Sequence, residues 1–241
     1  MEHKKISFIY WFAYYHLESP SVRYRGKYPL TFFKDYLGIP SYFVMPGYKL
    51  DSILLFVKAY LSALINRKPN SLIVIQRVQS NFIYASLLKL LIKLRKKDTV
   101  FDIDDADYLH NNPQTIYYFA THCEYVSVGS ELIKKHLESY NPNIIHTTTP
   151  IVDLNIVKQQ RNKTFVIGWI GAYGGDNKHS LHAFIFPALK LLSFPCKFIL
   201  VGVNEEIERE WIKQYFKNSP FVEIEIPLSV DWNNEKEIQM R

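Results

Sequence analysis

Short runs of apolar, β-branched and aromatic residues alternate along this chain with segments long enough to form an α-helix. The runs at residues 5–13 (KISFIYWFA), 72–76 (LIVIQ), 99–103 (TVFDI) and 165–170 (FVIGWI) are typical of strands that are buried on both faces of a parallel sheet. Because parallel strands need long crossover connections, the intervening segments are expected to be helices. This alternation predicts an α/β fold with parallel sheets and right-handed crossovers.

Proline, glycine and N-capping side chains mark where the remaining elements begin and end. Asp51 and Ser130 stand at positions suited to the N-cap of a helix. The predicted helices cover residues 29–37, 51–66, 81–97, 131–139, 178–192 and 205–216, and the further strands cover residues 41–44, 124–128, 144–147, 197–202 and 222–226.

The alternation of strands and helices restarts after a polar stretch at residues 158–163 (KQQRNK). The restart predicts two Rossmann-like, doubly wound domains, one at residues 1–157 and the other at residues 158–241. A complete doubly wound domain takes roughly 120 residues or more, so the second domain is expected to be incomplete.

The composition, with 48% apolar and 22% charged residues, is that of a globular protein and excludes a disordered or coiled-coil chain. Two cysteines, Cys123 and Cys196, indicate neither a disulfide framework nor a zinc site, so a reducing compartment, the cytoplasm, is expected. The apolar stretch at residues 6–17 is shorter than the roughly 20 residues of a membrane-spanning helix, and no small-residue cleavage site follows it.

The formal net charge is +6, and much of the excess lies in the predicted helix at residues 81–97. One interpretation is a core helix with a solvated basic face formed by Lys89, Lys93 and Lys97. The other is attachment to an anionic membrane surface, which would make the protein peripheral on the inner face of the membrane. Nucleic acid is not an expected partner, because the aromatic residues lie mostly inside apolar runs, where core packing explains them.

A cluster of carboxylates, Asp102-x-Asp104-Asp105-x-Asp107, comes at the end of the run TVFDI. In open α/β sheets, ligands bind at the carboxyl ends of the strands, which is where this cluster is expected to lie. Three interpretations remain open: a phosphatase of the haloacid-dehalogenase type, a metal site that holds a nucleotide-sugar, and a loop of N-caps for a following helix.

A glycine-bearing loop at residues 171–178 (GAYGGDNK) follows the run FVIGWI and precedes a predicted helix. Glycine lets the backbone approach a phosphate closely, a helix N-terminus attracts anions, and Lys178 adds a positive charge. The spacing matches neither the dinucleotide fingerprint nor a P-loop, and a tight turn explains the loop equally well.

Further polar side chains follow other predicted strands. Arg23 and Arg25 flank a tyrosine after the first strand, a pattern that suits a phosphate or carboxylate ligand and equally an exposed loop. Ser130 and the threonines at residues 147–149 supply hydroxyl groups, for which capping and turn formation are sufficient explanations. The histidines lack metal-ligand spacing, so no metal is expected there.

Five segments, in their order and spacing, carry a resemblance to a known family. They are residues 21–25 (SVRYR), 100–108 (VFDIDDADY), 126–132 (VSVGSEL), 149–153 (TPIVD) and 166–171 (VIGWIG), of which FDIDDA and IGWIG are the more specific. Together they resemble the GT-B glycosyltransferases of the group 1 (family 4) type, which build bacterial surface polysaccharides. The resemblance extends from near residue 5 to residue 241.

The resemblance implies two Rossmann-like domains in the GT-B architecture and a sugar transfer that needs no metal or other cofactor. A nucleotide-diphosphate sugar would be the donor, and a saccharide or lipid-linked saccharide would be the acceptor. Carried over to this chain, the implied catalytic residues are Asp104 and Asp105, the implied donor-binding residues are Gly171, Ala172, Gly174 and Lys178, and the implied acceptor-binding residues are Arg23, Arg25, Asp102 and Ser130.

The chain departs from the family at its donor motif, a pair of spaced glutamates that would come after Trp232. Glu235 and Glu237 do not match it. The donor site is therefore expected to be half-built, with weak binding of nucleotide-sugars and a tendency to self-associate. A hypothesis of another class follows, in which the protein is a non-catalytic saccharide-binding relative that keeps only an acceptor groove.

Overall fold

The computed structural model describes residues 5–65, 68–77, 81–109, 113–149 and 164–228. The chain forms two compact units, Met1–Val152 (unit 1) and Asp153–Arg241 (unit 2). The predicted boundary between residues 157 and 158 lies outside the described residues.

Unit 1 is built on a six-stranded sheet in which every described pairing is parallel. The strands are β1 (Phe8–Phe12), β2 (Ser41–Val44), β3 (Ser71–Gln76), β4 (Thr99–Ile103), β5 (Tyr125–Val128) and β6 (Ile144–His146). Their order across the sheet is β2-β1-β3-β4-β5-β6, so the chain reverses its direction of winding beside β1. This order is that of a doubly wound, Rossmann-like sheet.

Helices connect these strands, as the crossover rule requires. They are α1 (Tyr28–Leu37), α2 (Leu50–Leu64), α3 (Phe82–Leu94), α4 (Pro113–His122) and α5 (Glu131–Leu137), with a π-helix at Val22–Lys27 before α1 and a 3₁₀ turn at Asp107–Leu109. The sequence pattern did not predict α4, which fills the interval between the acidic cluster and β5.

Alternate side chains of the strands enter two different cores. Tyr10 and Ile73 belong to the larger core, which also contains Phe56 of α2, Leu88 of α3 and Ile116 of α4. On the opposite face, a smaller core holds Ile9, Trp11, Val22, Leu30 and Val74. The helices of unit 1 are therefore unequally divided between the two faces of its sheet.

Local capping explains two helix starts and corrects a third. Asn81 caps α3, because its side-chain oxygen accepts from the amides of Ile83 and Tyr84, and Ser130 caps α5 in the same way. The prediction that Asp51 is an N-cap was wrong: α2 follows Lys49, and Asp51 lies inside its first turn. A carboxylate there still interacts favourably with the helix dipole.

Unit 2 contains a three-stranded parallel sheet in the order β7-β8-β9, formed by β7 (Phe165–Ile170), β8 (Cys196–Val201) and β9 (Val222–Glu225). Its helices are α6 (Gly175–Ser180), α7 (Phe186–Lys190) and α8 (Glu206–Phe216), and a π-helical turn at Leu181–Ile185 joins α6 to α7. The two parallel sheets with their crossover helices confirm the predicted α/β fold of two Rossmann-like units.

The first strand of unit 2 is largely exposed. Within the described ranges, β7 pairs with β8 alone, and none of its residues is buried. Phe165 and Ile170 at its two ends keep about half of their surface in solvent. The apolar pattern of β7 is therefore not matched by burial in the described structure.

Candidate functional site

The carboxyl ends of the unit 1 strands gather the polar residues that the sequence analysis singled out. Arg25 lies on the π-helix after β1, the carboxylates lie at and just after the end of β4, and Ser130 follows β5. Arg77 follows β3 at the same edge. This edge of a parallel sheet is where open α/β proteins bind ligands, so we take it as the candidate site of unit 1.

A buried ion pair joins Arg25 to Asp102, the last but one residue of β4. The Arg25 guanidinium meets both carboxylate oxygens, with Nε 3.0 Å from Oδ2, and both side chains are at most 5% exposed. Arg25 also donates to the Thr147 carbonyl at 2.9 Å and to the Ser127 hydroxyl at 3.2 Å. One guanidinium therefore ties the π-helix to the ends of β4, β5 and β6.

Glycine allows the π-helix to lie against the sheet. A Cβ atom at Gly26 would stand 2.9 Å from the Trp11 Nε1 atom, a distance too short for any side chain. The close approach brings the neighbouring Arg25 over the sheet, where it reaches Asp102. Burial raises the pKa of Asp102 above its ordinary value, and the hydrogen bond from Arg25 opposes that rise.

Arg77 organises the rest of the acidic cluster. Its guanidinium binds both carboxylate oxygens of Asp107, lies 2.7 Å from Asp105 and 3.8 Å from Asp104, and packs over the Tyr14 ring at 4.5 Å from the centroid. Although burial alone would lower it, hydrogen bonding to Asp107 holds the pKa of Arg77 above its ordinary value. The negative charges of Asp104, Asp105 and Asp107 would repel one another, and all three carboxylates share the positive charge of Arg77.

Arg77 is a site residue that the sequence pattern did not single out. The backbone of this residue is left-handed, with φ +52°, and its amide donates to the Asp102 carbonyl at 2.7 Å. The sequence did contain a signal for this contact: an arginine comes directly after one predicted parallel strand, and an acidic cluster comes at the end of the next. Because neighbouring parallel strands end at the same edge of a sheet, the two could have been expected to meet. In the ranges that the structure describes, no group of three His, Cys, Asp or Glu side chains is placed to hold a metal ion.

Asp104 is the carboxylate whose hydrogen-bonding capacity is left open. Its Oδ1 atom is buried and finds no hydrogen-bond partner among the described residues, whereas Asp105 is mostly exposed and engaged by Arg77. Gly129 packs directly on it: a Cβ atom there would lie 2.9 Å from the Asp104 Cα and carbonyl oxygen. The loop after β5 therefore holds the Asp104 backbone in place.

A groove of about 440 Å³ lies on the sheet face beside the Arg25–Asp102 pair. Its walls are mainly apolar, and Ser127, Thr147 and Thr148 add hydroxyl groups; the apolar lining consists of Trp11, Pro29, Phe33, Leu72, Val74 and Val100. Such a mixture can receive a molecule with apolar and hydroxyl-bearing surfaces.

The glycine-bearing loop of unit 2 follows β7, as predicted. The Gly171 amide donates to the Val201 carbonyl at 3.2 Å, and a Cβ atom at Gly171 would lie 2.9 Å from the Trp169 ring. Gly174 stands just before α6, and the Asn177 side chain donates to the Ala172 carbonyl at 3.2 Å. A side chain at position 171 would therefore press on the Trp169 ring, whatever the loop binds.

Lys178, the predicted donor-binding cation, has a partner inside unit 2. Its ammonium group forms an ion pair with Glu208 of α8 and lies 5.6 Å from the centre of the Tyr173 ring. The Tyr173 hydroxyl in turn meets His182, which stacks on Trp211 at 4.5 Å. Burial lowers the pKa of His182, and the nearby Lys178 lowers it further.

The structure separates the predicted site residues into distinct environments. Asp102 and Arg25 form one pair, and Asp104 and Asp105 surround Arg77. Arg23 donates to the backbone carbonyls of Leu17 and Glu18, and the Ser130 hydroxyl is occupied by its capping bond. The described contacts of all four predicted acceptor residues are thus made within unit 1, and their contact with an acceptor stays a prediction.

Among comparisons with family models, curated proteins and solved structures, only the comparison with solved structures finds a match. No protein-family model matches the sequence, and no curated protein matches it. The fold is similar to that in the crystal structure of MurG from Acinetobacter baumannii, with a TM-score of 0.43 and 14% sequence identity over 94% of this chain and 67% of that chain. The class of protein is defined by its own two parallel sheets: an α/β protein of two Rossmann-like units.

Proposed function

We propose that the protein is a glycosyltransferase that moves a sugar from a nucleotide-diphosphate sugar to a saccharide or lipid-linked saccharide. One observation carries the proposal: three of the five motif segments of the family resemblance fall at the carboxyl ends of parallel strands. The segment at 100–108 surrounds the end of β4, the segment at 126–132 surrounds the end of β5, and the segment at 166–171 ends β7. Strand ends are where ligands of such folds bind.

Asp104 is the residue we assign to the reacting sugar hydroxyl. Its free Oδ1 acceptor, together with the cation of Arg77 at 3.8 Å, suits a carboxylate that orients a hydroxyl group. The Arg25–Asp102 pair would hold this edge rigid, and rigidity matters because glycosyl transfer is accelerated largely by positioning.

The donor diphosphate would lie against the loop after β7. Gly171, Ala172 and Gly174 would present their backbone, as glycine-rich loops do to phosphates. Lys178 would reach the diphosphate by exchanging its bond with Glu208 for one with phosphate. This charge would then stabilise the leaving group, and no metal would be required.

A binding protein without transfer activity is the second candidate. The observation that favours it is that Arg25, Arg77 and Lys178 each already have a carboxylate partner. The contacts of Asp102 argue against the phosphatase interpretation of the acidic cluster, since this first carboxylate of the pair Asp102-x-Asp104 is buried with both oxygens bound to Arg25.

We infer that the protein works in the cytoplasm. Cys123 and Cys196 are free thiols and both are buried. A reducing compartment keeps such thiols unpaired.

Calorimetric titration of the purified protein with a panel of nucleotide-diphosphate sugars tests the proposal. We expect one donor to bind, and release of the nucleoside diphosphate when acceptor saccharides are added. Asp104→Asn should lower that release by roughly 10²-fold without changing the melting temperature, because it removes orientation only. Asp35→Asn, on an exposed position of α1, is the matched control.

Two results would count against the proposed transferase. Saccharide binding with no donor binding would favour the second candidate. A lower melting temperature in Asp104→Asn would instead give this carboxylate a structural role.

A further inference from the structure

The turn that follows α6 carries a histidine whose neighbours come from three elements of unit 2. His182 lies in the π-helical turn Leu181–Ile185, and its Nε2 atom meets the hydroxyl of Tyr173 in the glycine-bearing loop. The His182 ring stacks on the Trp211 ring of α8, with the planes 19° apart, and lies 5.1 Å from the Phe186 ring of α7. These contacts fix the orientation of the imidazole.

Tyr173 connects this histidine to the predicted donor-binding cation. The Tyr173 amide donates to the Gly202 carbonyl at 3.3 Å, just after β8. The Lys178 ammonium lies 5.6 Å from the centre of the Tyr173 ring, within the roughly 6 Å of a cation–π contact. Burial raises the pKa of Tyr173 to about 12, so its hydroxyl keeps its proton near neutral pH. The ring is thus held by His182 at its hydroxyl and carries Lys178 over its face.

Among the described residues, two charged groups face His182, and they are paired with each other. They are Lys178 of α6 and Glu208 of α8, whose ion pair closes the cluster. Glu208 and Trp211 are three positions apart, so they lie on the same side of α8. Burial lowers the pKa of His182, Lys178 lowers it further, and Glu208 opposes both effects. The imidazole is therefore neutral near pH 7 and responds to any change in this ion pair.

We propose that His182 is a positioning residue for donor binding: it holds the Tyr173 ring, and through that ring it keeps the Lys178 ammonium beside the glycine-bearing loop. The inference rests on the proposed function, because it takes Lys178 as the cation that receives the donor diphosphate. His182 touches no substrate itself and acts through Tyr173.

Donor binding should change the protonation of His182. Once Lys178 exchanges Glu208 for phosphate, its positive charge is neutralised and a carboxylate is released beside the imidazole. Both changes raise the pKa of His182. Because the bound form then holds the proton more tightly than the free form, binding takes up a fraction of a proton and strengthens as the pH falls between the two pKa values. The bond to Tyr173 persists, since a protonated ring donates to the tyrosine oxygen.

Calorimetric titration with the donor panel, which includes UDP-glucose and GDP-mannose, tests the inference. The titrations run between about pH 5.5 and 8, the range in which an imidazole titrates, in buffers of different ionisation enthalpy. The diphosphate of a sugar nucleotide stays fully ionised over this range, so any proton taken up enters the protein. We expect the sugar nucleotide that binds to do so more tightly at the acidic end, with proton uptake.

Two substitutions of His182 separate positioning from a structural role. His182→Leu removes the hydrogen bond and should weaken donor binding roughly fivefold, and Tyr173→Phe, which keeps the ring under Lys178, should have a similar effect. His182→Gln places an amide near the position of the imidazole Nε2 atom. It should keep the affinity measured at about pH 8, where the wild-type ring is neutral, and lose the pH dependence and the proton uptake.

His179→Gln is the matched control, because it replaces an exposed histidine of α6 three positions away. It should leave both donor affinity and proton uptake unchanged. Nuclear magnetic resonance titration of the His182 imidazole gives its pKa without any donor, and this pKa should be higher in Lys178→Gln than in the wild type.

Four results would overturn the inference while donor binding stands. They are proton uptake that persists in His182→Gln or disappears in His179→Gln, wild-type affinity in His182→Leu, an equal loss of affinity in His182→Gln and His182→Leu, and an unchanged His182 pKa in Lys178→Gln. If no member of the panel binds the wild type, the transferase proposal fails and this inference fails with it, so the two failures are distinguishable.

Discussion

The first strand of unit 1 and the first strand of unit 2 have similar apolar sequences and different surroundings. In FIYWF, β1 is paired on both sides, with β2 and β3, and four of its five residues are buried. In FVIGWI, β7 pairs with β8 alone among the described residues and buries none. The comparison teaches that an apolar run indicates a strand, while its neighbours determine how much of it leaves water.

Two cations predicted to bind ligands, Arg25 and Lys178, also differ in burial. Arg25 in unit 1 is almost completely buried with its carboxylate partner, whereas Lys178 and Glu208 in unit 2 remain 39% and 27% exposed. Breaking the Arg25–Asp102 pair is costly, because it leaves a buried charge without a partner. The Lys178–Glu208 pair is partly exposed, so water screens its charges and the pair contributes little.

The tryptophans of the two strands give the largest expected difference. Trp11→Ala should cost about 5 kcal/mol of the free energy of unfolding, because it empties a core site and leaves the buried Gln76 amide without its indole partner at 3.1 Å. Trp169→Ala, in a half-buried site, should cost about 1–2 kcal/mol. Urea unfolding followed by circular dichroism measures both, and equal costs would contradict the comparison.

The ion pairs should differ by somewhat less. Arg25→Leu should destabilise unit 1 by about 3–5 kcal/mol, since it leaves the Asp102 carboxylate buried and unpaired. Lys178→Leu should cost only about 0–1 kcal/mol.

A double variant sharpens this test of the ion pairs. Adding Asp102→Leu to Arg25→Leu should recover part of the lost stability, as an apolar pair often replaces a buried ion pair without loss. Thermal melts of the variants check this, and a Lys178→Leu as damaging as Arg25→Leu would show that the unit 2 pair is desolvated.

The two thiols should show the smallest difference. Burial raises the pKa of Cys123 to about 12, and burial also raises the pKa of Cys196. Both should therefore react slowly with a disulfide reagent at pH 8, and only after local opening. Cys196 should react about tenfold faster, because its sheet has three strands in the described residues against six in unit 1 and should open at a lower free energy.

Single variants assign the two reaction rates. In Cys123→Ser the remaining thiol is Cys196 of unit 2, and in Cys196→Ser it is Cys123 of unit 1. Since burial raises the folded-state pKa of Cys123 above its ordinary value of 9.0, the contribution of this thiol to stability is full at pH 8 and declines as the pH rises from 9.0 towards about 12. Equal reaction rates of Cys123 and Cys196 would contradict the expectation that unit 2 opens more easily than unit 1.

The sequence by itself determined the α/β class, the two alternating units, every strand of the described residues and the cap of α5. These features follow from short-range rules, in which periodicity and capping depend on residues a few positions apart. The same rules did not assign α4, and they misplaced the cap of α2 at Asp51.

Only the tertiary structure decided what each polar or apolar side chain meets. The partner of Arg25 lies 77 positions away, at Asp102, and the register of β4 against β5 sets Asp102 opposite Ser127. Arg77 acquires its role from carboxylates on a neighbouring strand end. On α2, apolar residues occupy both sides of the helix, so periodicity could not tell the core side from the exposed one. Pair partners and buried faces are set by long-range packing, whose register no local pattern records.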